Sequence, residues 1–151
     1  MTDILKLFQF IKEKEGYDIP FKQKITNGYP LTKEELNVRG DLDLSNTKIT
    51  SLPNGLKVGG HLNLSYSKIE SLPDGLEVGG FLDLWGCKRL KSLPDGLKVG
   101  GSLILTVTPI ASLPDGLEVG MDLYLENTPI ADKYTEKEIR ELCDIKGKIY
   151  F

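Results

Sequence analysis

The sequence predicts an α/β repeat: a solenoid whose stacked turns share a parallel β-sheet, closed at both ends by helical segments. Three observations lead there. Five stretches are near-copies of one another, at 38–57, 58–77, 78–98, 99–118 and a partial 119–130, with a period of 20 residues and one copy of 21. A unit this short cannot bury its own apolar side and must stack on its neighbours. Within each copy two leucines alternate with polar residues, the period-2 mark of a half-buried strand. Outside the copies, both ends carry amphipathic stretches with helix-start signals.

Residues 1–37 read as an N-terminal cap. Ile4, Leu5, Phe8 and Ile11 fall at helical spacing behind Thr2 as N-cap. The segment LTKEELN (31–37) offers Thr32 and, three residues later, Glu35, a capping box that predicts a short helix. Four and a half turns follow over 38–130. Their strand leucines are Leu42/Leu44, Leu62/Leu64, Leu82/Leu84, Leu103/Leu105 and Leu123/Leu125. Each turn then places a small polar residue two before an Ile, as in Thr47/Ile49, Ser67/Ile69, Thr108/Ile110 and Thr128/Ile130. The hydroxyl can bond nearby backbone while the Ile fills the core. The Leu-Pro-Asp/Asn-Gly run returns the chain, and the Gly-Gly pairs at 59–60, 79–80 and 100–101 mark a second corner. Lys57, Glu77, Lys98 and Glu118 occupy one equivalent site with alternating sign. Stacked ~4.8 Å apart, they predict a charge ladder that favours correct register. Residues 131–151 read as a C-terminal cap. Thr135 and Glu138 form a second capping box, Ile139 and Leu142 share one face, and KIYF reads as a short strand.

Composition bounds the class. The chain has 151 residues, 40% hydrophobic and 27% charged, with net charge −3, the profile of one small soluble domain. No basic footprint predicts nucleic-acid binding, and no apolar run is long enough for a signal peptide or a membrane span. Cys87 and Cys143 lack metal-like spacing, which predicts reduced thiols and a cytoplasmic setting.

The run LxLxxTxIxxLPxxL resembles the leucine-rich repeat, in particular its short bacterial form with a Leu-Pro pair in each turn. The variant LPxGLxVGGxLxL is similar to that of small repeat proteins encoded by bacteria and bacteriophages. The resemblance covers 38–130 and implies a leucine-rich-repeat-like solenoid whose sheet binds a protein inside a bacterial or phage-infected cell. Two departures stand out. Thr, Ser or Cys replaces the usual Asn, and the segment flanked by Gly-Gly leaves open either a single-sheet horseshoe or a β-solenoid with a second strand per turn.

On that reading function sits on the outward positions of the strands, which differ from copy to copy while the rest hardly changes. They include Asp43, His61, Asn63, Phe81, Asp83, Trp85, Ile104 and Tyr124. Phe81 and Trp85, the latter the only Trp, are expected to project from one strand beside Ile104, with Tyr66 or Tyr124 near. Such a patch, rimmed by Asp41, Asp43, Asp83 and Glu126, predicts a protein-binding hot spot for a partner with basic groups. The competing reading has Phe81 and Trp85 covering the third turn, which carries the extra residue. His61 beside Asp41 or Asp43 is the one pairing relevant to catalysis, and a lone surface His is far more often solvated. The expectation is a non-enzymatic binding module without cofactor or metal, acting on a protein rather than on nucleic acid or membrane. It is expected to be a monomer, and the alternative is a self-associating structural or virion-associated protein that pairs through KGKIYF.

Overall fold

A computed structural model describes residues 3–16 and 18–151. Thr2 and the side chain of Leu5 lie outside the described residues. Helices α1 (Asp3–Glu15) and α2 (Phe21–Thr26) precede β1 (Asn37–Val38), and from there the chain winds with two short strands per rung. The first rung is completed by β2 (Leu42–Asp43). The second pairs β3 (Lys57–Val58) with β4 (Leu62–Asn63), and the third pairs β5 (Glu77–Val78) with β6 (Leu82–Asp83). The fourth contains β7 (Lys98–Val99) and β8 (Leu103–Ile104), and the fifth β9 (Glu118–Val119) and β10 (Leu123–Tyr124). After α3 (Pro129–Lys133) and α4 (Glu136–Leu142), a sixth rung of β11 (Asp144–Ile145) and β12 (Ile149–Tyr150) ends the solenoid.

The odd-numbered strands form one six-stranded parallel sheet and the even-numbered strands a second. The protein is therefore a β-solenoid with two sheets rather than a single-sheet horseshoe. Register is one-to-one: Leu42 faces Leu62, Leu82, Leu103, Leu123 and Ile149 in turn across the second sheet. Every member of that column is buried, as is the column Leu44, Leu64, Leu84, Leu105 and Leu125. Val58, Val78, Val99, Val119 and Ile145 line the first sheet from inside, and Ile49, Ile69, Leu90, Ile110 and Ile130 fill the remaining side. The third rung absorbs its extra residue between Cys87 and Leu90, so Leu90 takes the Ile position.

The small polar residue of each turn closes a corner. Thr47, Thr108 and Thr128 donate from their hydroxyls to the carbonyls of Leu44, Leu105 and Leu125 at 2.7, 2.6 and 2.6 Å. At the third rung Cys87 takes this place, its Sγ 3.1 Å from the Leu64 carbonyl and 3.7 Å from Ser67 Oγ. Burial pushes the Cys87 thiol up, so it stays protonated and inert. On the first sheet the charge ladder forms as expected, with Lys57–Glu77 at 2.8 Å and Lys98–Glu118 at 2.9 Å. The side chains of these pairs are more than half exposed, so solvent screens them and they serve register more than stability.

The ends differ from expectation in two places. Thr32 and Glu35 do bond reciprocally, the Thr32 amide to Glu35 Oε2 at 2.9 Å and the Glu35 amide to Thr32 Oγ1 at 3.2 Å. They close a turn rather than a helix, because β1 begins at Asn37 and leaves no room for a second turn. Ile4 of α1 is 52% exposed, whereas Phe8 and Ile11 are half-buried, and Phe8 packs against Tyr29. It is α2 that caps the core, through Ile25, held by Lys24 bonded to Glu35 at 2.6 Å. At the other end the Thr135–Glu138 capping box starts α4 and Ile139 is buried, but Leu142 is 57% exposed. Arg140 of α4 donates to the carbonyls of Ile145 and Gly147 at 2.9 and 2.8 Å. A guanidinium thus occupies acceptors that a seventh rung of the first sheet would have used.

Gly79 sits where neighbouring rungs approach most closely: a Cβ there would run into the Gly59 carbonyl. Gly75, at a φ of 70°, has open space around it. Gly75→Ala is expected to cost about 1 kcal/mol through backbone strain alone, and Gly79→Ala about 3 kcal/mol because backbone must move. Urea denaturation of the two variants checks this, and equal losses would refute the close-approach argument.

Candidate functional site

The outward face of the second sheet has two columns before its corner. In the first stand Asp41, His61, Phe81, Ser102, Asp122 and Lys148, and here side chains bond the next rung. The His61 amide donates to Asp41 Oδ1 at 2.7 Å and the Phe81 amide to His61 Nδ1 at 3.0 Å. Farther along, the Asp122 amide donates to Ser102 Oγ at 3.3 Å and the Lys148 amide to Asp122 Oδ1 at 2.8 Å. The His61 ring also stacks on Phe81, with centroids 3.8 Å apart and planes inclined by 13°.

The second column, set by strand register, is Asp43, Asn63, Asp83, Ile104, Tyr124 and Tyr150. Its first three members accept the amide two residues ahead: Ser45 to Asp43 at 2.9 Å, Ser65 to Asn63 at 3.0 Å, Trp85 to Asp83 at 2.9 Å. Tyr124 stacks on Tyr150 at 4.6 Å, and Ile104 is half-buried between them and Asp83 in the column. Asp43, His61, Asn63 and Asp83 are thus committed to backbone amides. Side-chain to backbone bonds of this kind leave no periodic trace in a sequence.

The structure also separates the two aromatics expected to form one patch. Phe81 is half-buried under its stack with His61, whereas Trp85, 45% exposed, packs against Tyr66 at 5.5 Å. The physical reason is distance along the rung, since Phe81 precedes the strand and Trp85 stands at the corner that ends it. At this corner Asn46, Tyr66, Gly86, Val107 and Asn127 all adopt left-handed backbone, with φ between 55° and 67°. Asn and Gly accept that conformation readily, while Tyr and β-branched Val are strained in it. Tyr66 is 52% exposed and Val107 36%. Gly86 makes room for the arrangement, because a Cβ there would meet the Tyr66 ring at 2.7 Å. Tyr66, Trp85 and Val107 therefore form an exposed apolar ridge along three rungs.

Two carboxylates at equivalent positions respond oppositely to their surroundings. The Ser45 hydroxyl and amide hold Asp43 below its ordinary pKa. Burial pushes the Asp83 carboxyl up, opposed by the Trp85 amide. No helix among the described residues is long and apolar enough to cross a membrane. Among the described residues, no group of three or more His, Cys, Asp or Glu is placed to hold a metal ion. Comparison of the chain with protein-family models, with curated proteins and with solved structures found no match.

Because the folded-state pKa of Asp83 lies above the unfolded one, ionisation disfavours the fold: the penalty is present at neutral pH and fades as pH falls through the Asp83 pKa. Asp83→Asn keeps an acceptor for the Trp85 amide, as Asn63 does for Ser65. It is expected to raise stability at pH 7 and to lose that advantage near about pH 3, where the wild-type carboxyl is protonated. Thermal unfolding across this range checks it; a variant less stable than wild type at pH 7 would show the charge to be needed.

Proposed function

We propose that the protein is a non-enzymatic binding module that presents the Tyr66–Trp85–Val107 ridge, with the adjoining second-sheet face, to a protein partner. One observation carries the reading. At the left-handed corner, rungs one, three and five use Asn or Gly, while rungs two and four place Tyr and Val in the same backbone conformation. Each strained residue forgoes about 1 kcal/mol that Asn would recover. Both flank the only Trp and are exposed. Their positions fit recognition better than folding.

Mechanism follows from rigidity. The ridge stands on backbone fixed by bonds to rungs on either side: the Tyr66 amide donates to the Trp85 carbonyl at 2.8 Å and the Val107 amide to the Glu126 carbonyl at 3.0 Å. Little conformational entropy remains to be lost on association. Ile104 and the stacked Tyr124–Tyr150 pair extend the apolar surface toward the C-terminal end. The resemblance to leucine-rich repeats of bacteria and phages supports a host or phage protein as the partner, with inhibition the simplest consequence of occupying its surface.

A second reading, self-association, is favoured by the edge of the second sheet. There β12 is the outermost strand and Tyr150 is exposed, whereas Arg140 shields the matching edge of the first sheet. Light scattering at rising concentration separates the two readings.

Val107→Asn is expected to stabilise the protein by about 1 kcal/mol while weakening capture of the partner from bacterial lysate. Trp85→Ser is expected to abolish capture with the fold intact by circular dichroism. Capture of the same protein at full strength by both variants would remove the ridge from the interface.

A further inference from the structure

Just past the corner each rung turns one more residue outward before its next core position. In rungs one to three that residue is Lys48, Lys68 or Lys88; in rungs four and five it is Pro109 or Pro129. Stacking sets the lysines side by side. The Lys68 amide donates to the Thr47 carbonyl at 3.3 Å, and Cys87 Sγ lies 3.7 Å from Ser67 Oγ. The extra residue of rung three adds Arg89 to the strip, Lys91 stands just past Leu90 at the site equivalent to Thr50 and Glu70, and all five basic side chains are exposed. The one acid among them, Glu70, is 2.9 Å from Arg89. Among the described residues none of the four lysines has an ion pair.

Elsewhere the same stacking is used differently. On the first sheet Lys57, Glu77, Lys98 and Glu118 alternate in sign and pair. A strip serving register alone would alternate too. Here residues of like charge follow one another on successive rungs, whose backbones stack about 5 Å apart, against the net charge of −3 of the whole chain. The strip adjoins the corner at which Tyr66 and Trp85 are exposed, two residues before Lys68 and three before Lys88 respectively.

We propose that this lysine strip and the Tyr66–Trp85 corner together hold an acidic, partly apolar segment of a protein partner. Carboxylates lie over Lys48, Lys68 and Lys88, and an apolar side chain rests on the aromatic pair. The inference rests on the protein-binding reading above and adds the partner's chemistry. It also revises the expected complementarity. The carboxylates of Asp41, Asp43, Asp83 and Asp122 keep to the second-sheet face and accept backbone amides there, so on the other side of the corner the charge open to a partner is positive. Single-stranded nucleic acid fits less well. Beyond the corner lie Asp43, Asp83 and Glu126, which repel a uniform polyanion, whereas a peptide changes charge from one residue to the next.

The test uses fluorescein-labelled twelve-residue peptides of Glu, Ser and Leu, with counterparts carrying Gln or Lys in place of every Glu, and a twelve-nucleotide oligothymidylate. Anisotropy measures affinity, and Trp85 emission reports contact at the corner. The Glu peptide is expected to perturb Trp85 and to bind at least about tenfold tighter than the Gln peptide, weakening with salt. A Lys48→Glu, Lys68→Glu, Lys88→Glu variant, shown folded by circular dichroism, is expected to lose that preference. Equal binding of the Glu, Gln and Lys peptides at Trp85 would overturn the acidic assignment and leave the ridge standing. Tighter binding of the oligonucleotide would replace a protein partner with nucleic acid. Absence of binding by any probe would overturn both the strip and the ridge.

Discussion

Neighbouring rungs are joined by backbone hydrogen bonds in parallel register, and at the Gly corner the two backbones come so close that no side chain fits between. The Gly79 amide reaches the Val58 carbonyl at 2.8 Å and the Gly100 amide reaches that of Val78 at 2.8 Å. Everything else depends on this stacking, because it places each residue directly over its equivalent 20 or 21 positions away. Chemistry then comes in columns. A column of leucines becomes a core, a column of hydroxyls becomes a row of closed corners, and a column of charges either alternates and binds or stays uniform and repels. The meaning of a residue is set by the residues above and below it more than by its neighbours in sequence.

This explains why much of the apparently variable face is occupied with its own backbone. Amides that the two-residue strands leave over need acceptors, and Asp41, His61, Ser102 and Asp122 supply them between rungs. Asp43, Asn63 and Asp83 supply them within rungs. Variation in these columns is variation among acceptors. What remains once the backbone is satisfied is the corner, where Tyr66 and Val107 hold a conformation better suited to Asn, and where Gly86 yields its volume to the Tyr66 ring.

The solenoid, its inward leucines, the corner hydroxyls, the sign-alternating ladder and the Thr135 capping box were all legible because repetition or a fixed spacing encodes them. The second strand of each turn was left open, since Lys57–Val58 and its equivalents are too short to show alternation. The sixth rung left a trace: DIKGKIYF (144–151) aligns with EVGMDLYL (118–125), matching Ile145 to Val119, Ile149 to Leu123 and Tyr150 to Tyr124. The interposed α3 and α4 break the period and hide it. The corner ridge was half legible. Trp85 was singled out, but its pairing with Tyr66 rather than Phe81 depends on where a rung bends, which no residue pattern states.

The charge distribution follows from the same geometry. Going round a rung, the second-sheet face is acidic, the side after the corner is basic in rungs one to three, and the first sheet is balanced by pairing. A helix or a globular surface mixes such signs within a turn. A solenoid keeps them apart, because each side of the rung is a separate column and one substitution per repeat sets its sign. Proline takes the lysine's place at Pro109 and Pro129, so the basic column ends at rung three, one rung before Val107 ends the ridge. The core columns, by contrast, continue unchanged through rung five. A core column cannot end without opening the solenoid, whereas a surface column can change chemistry at any rung at little cost to the fold.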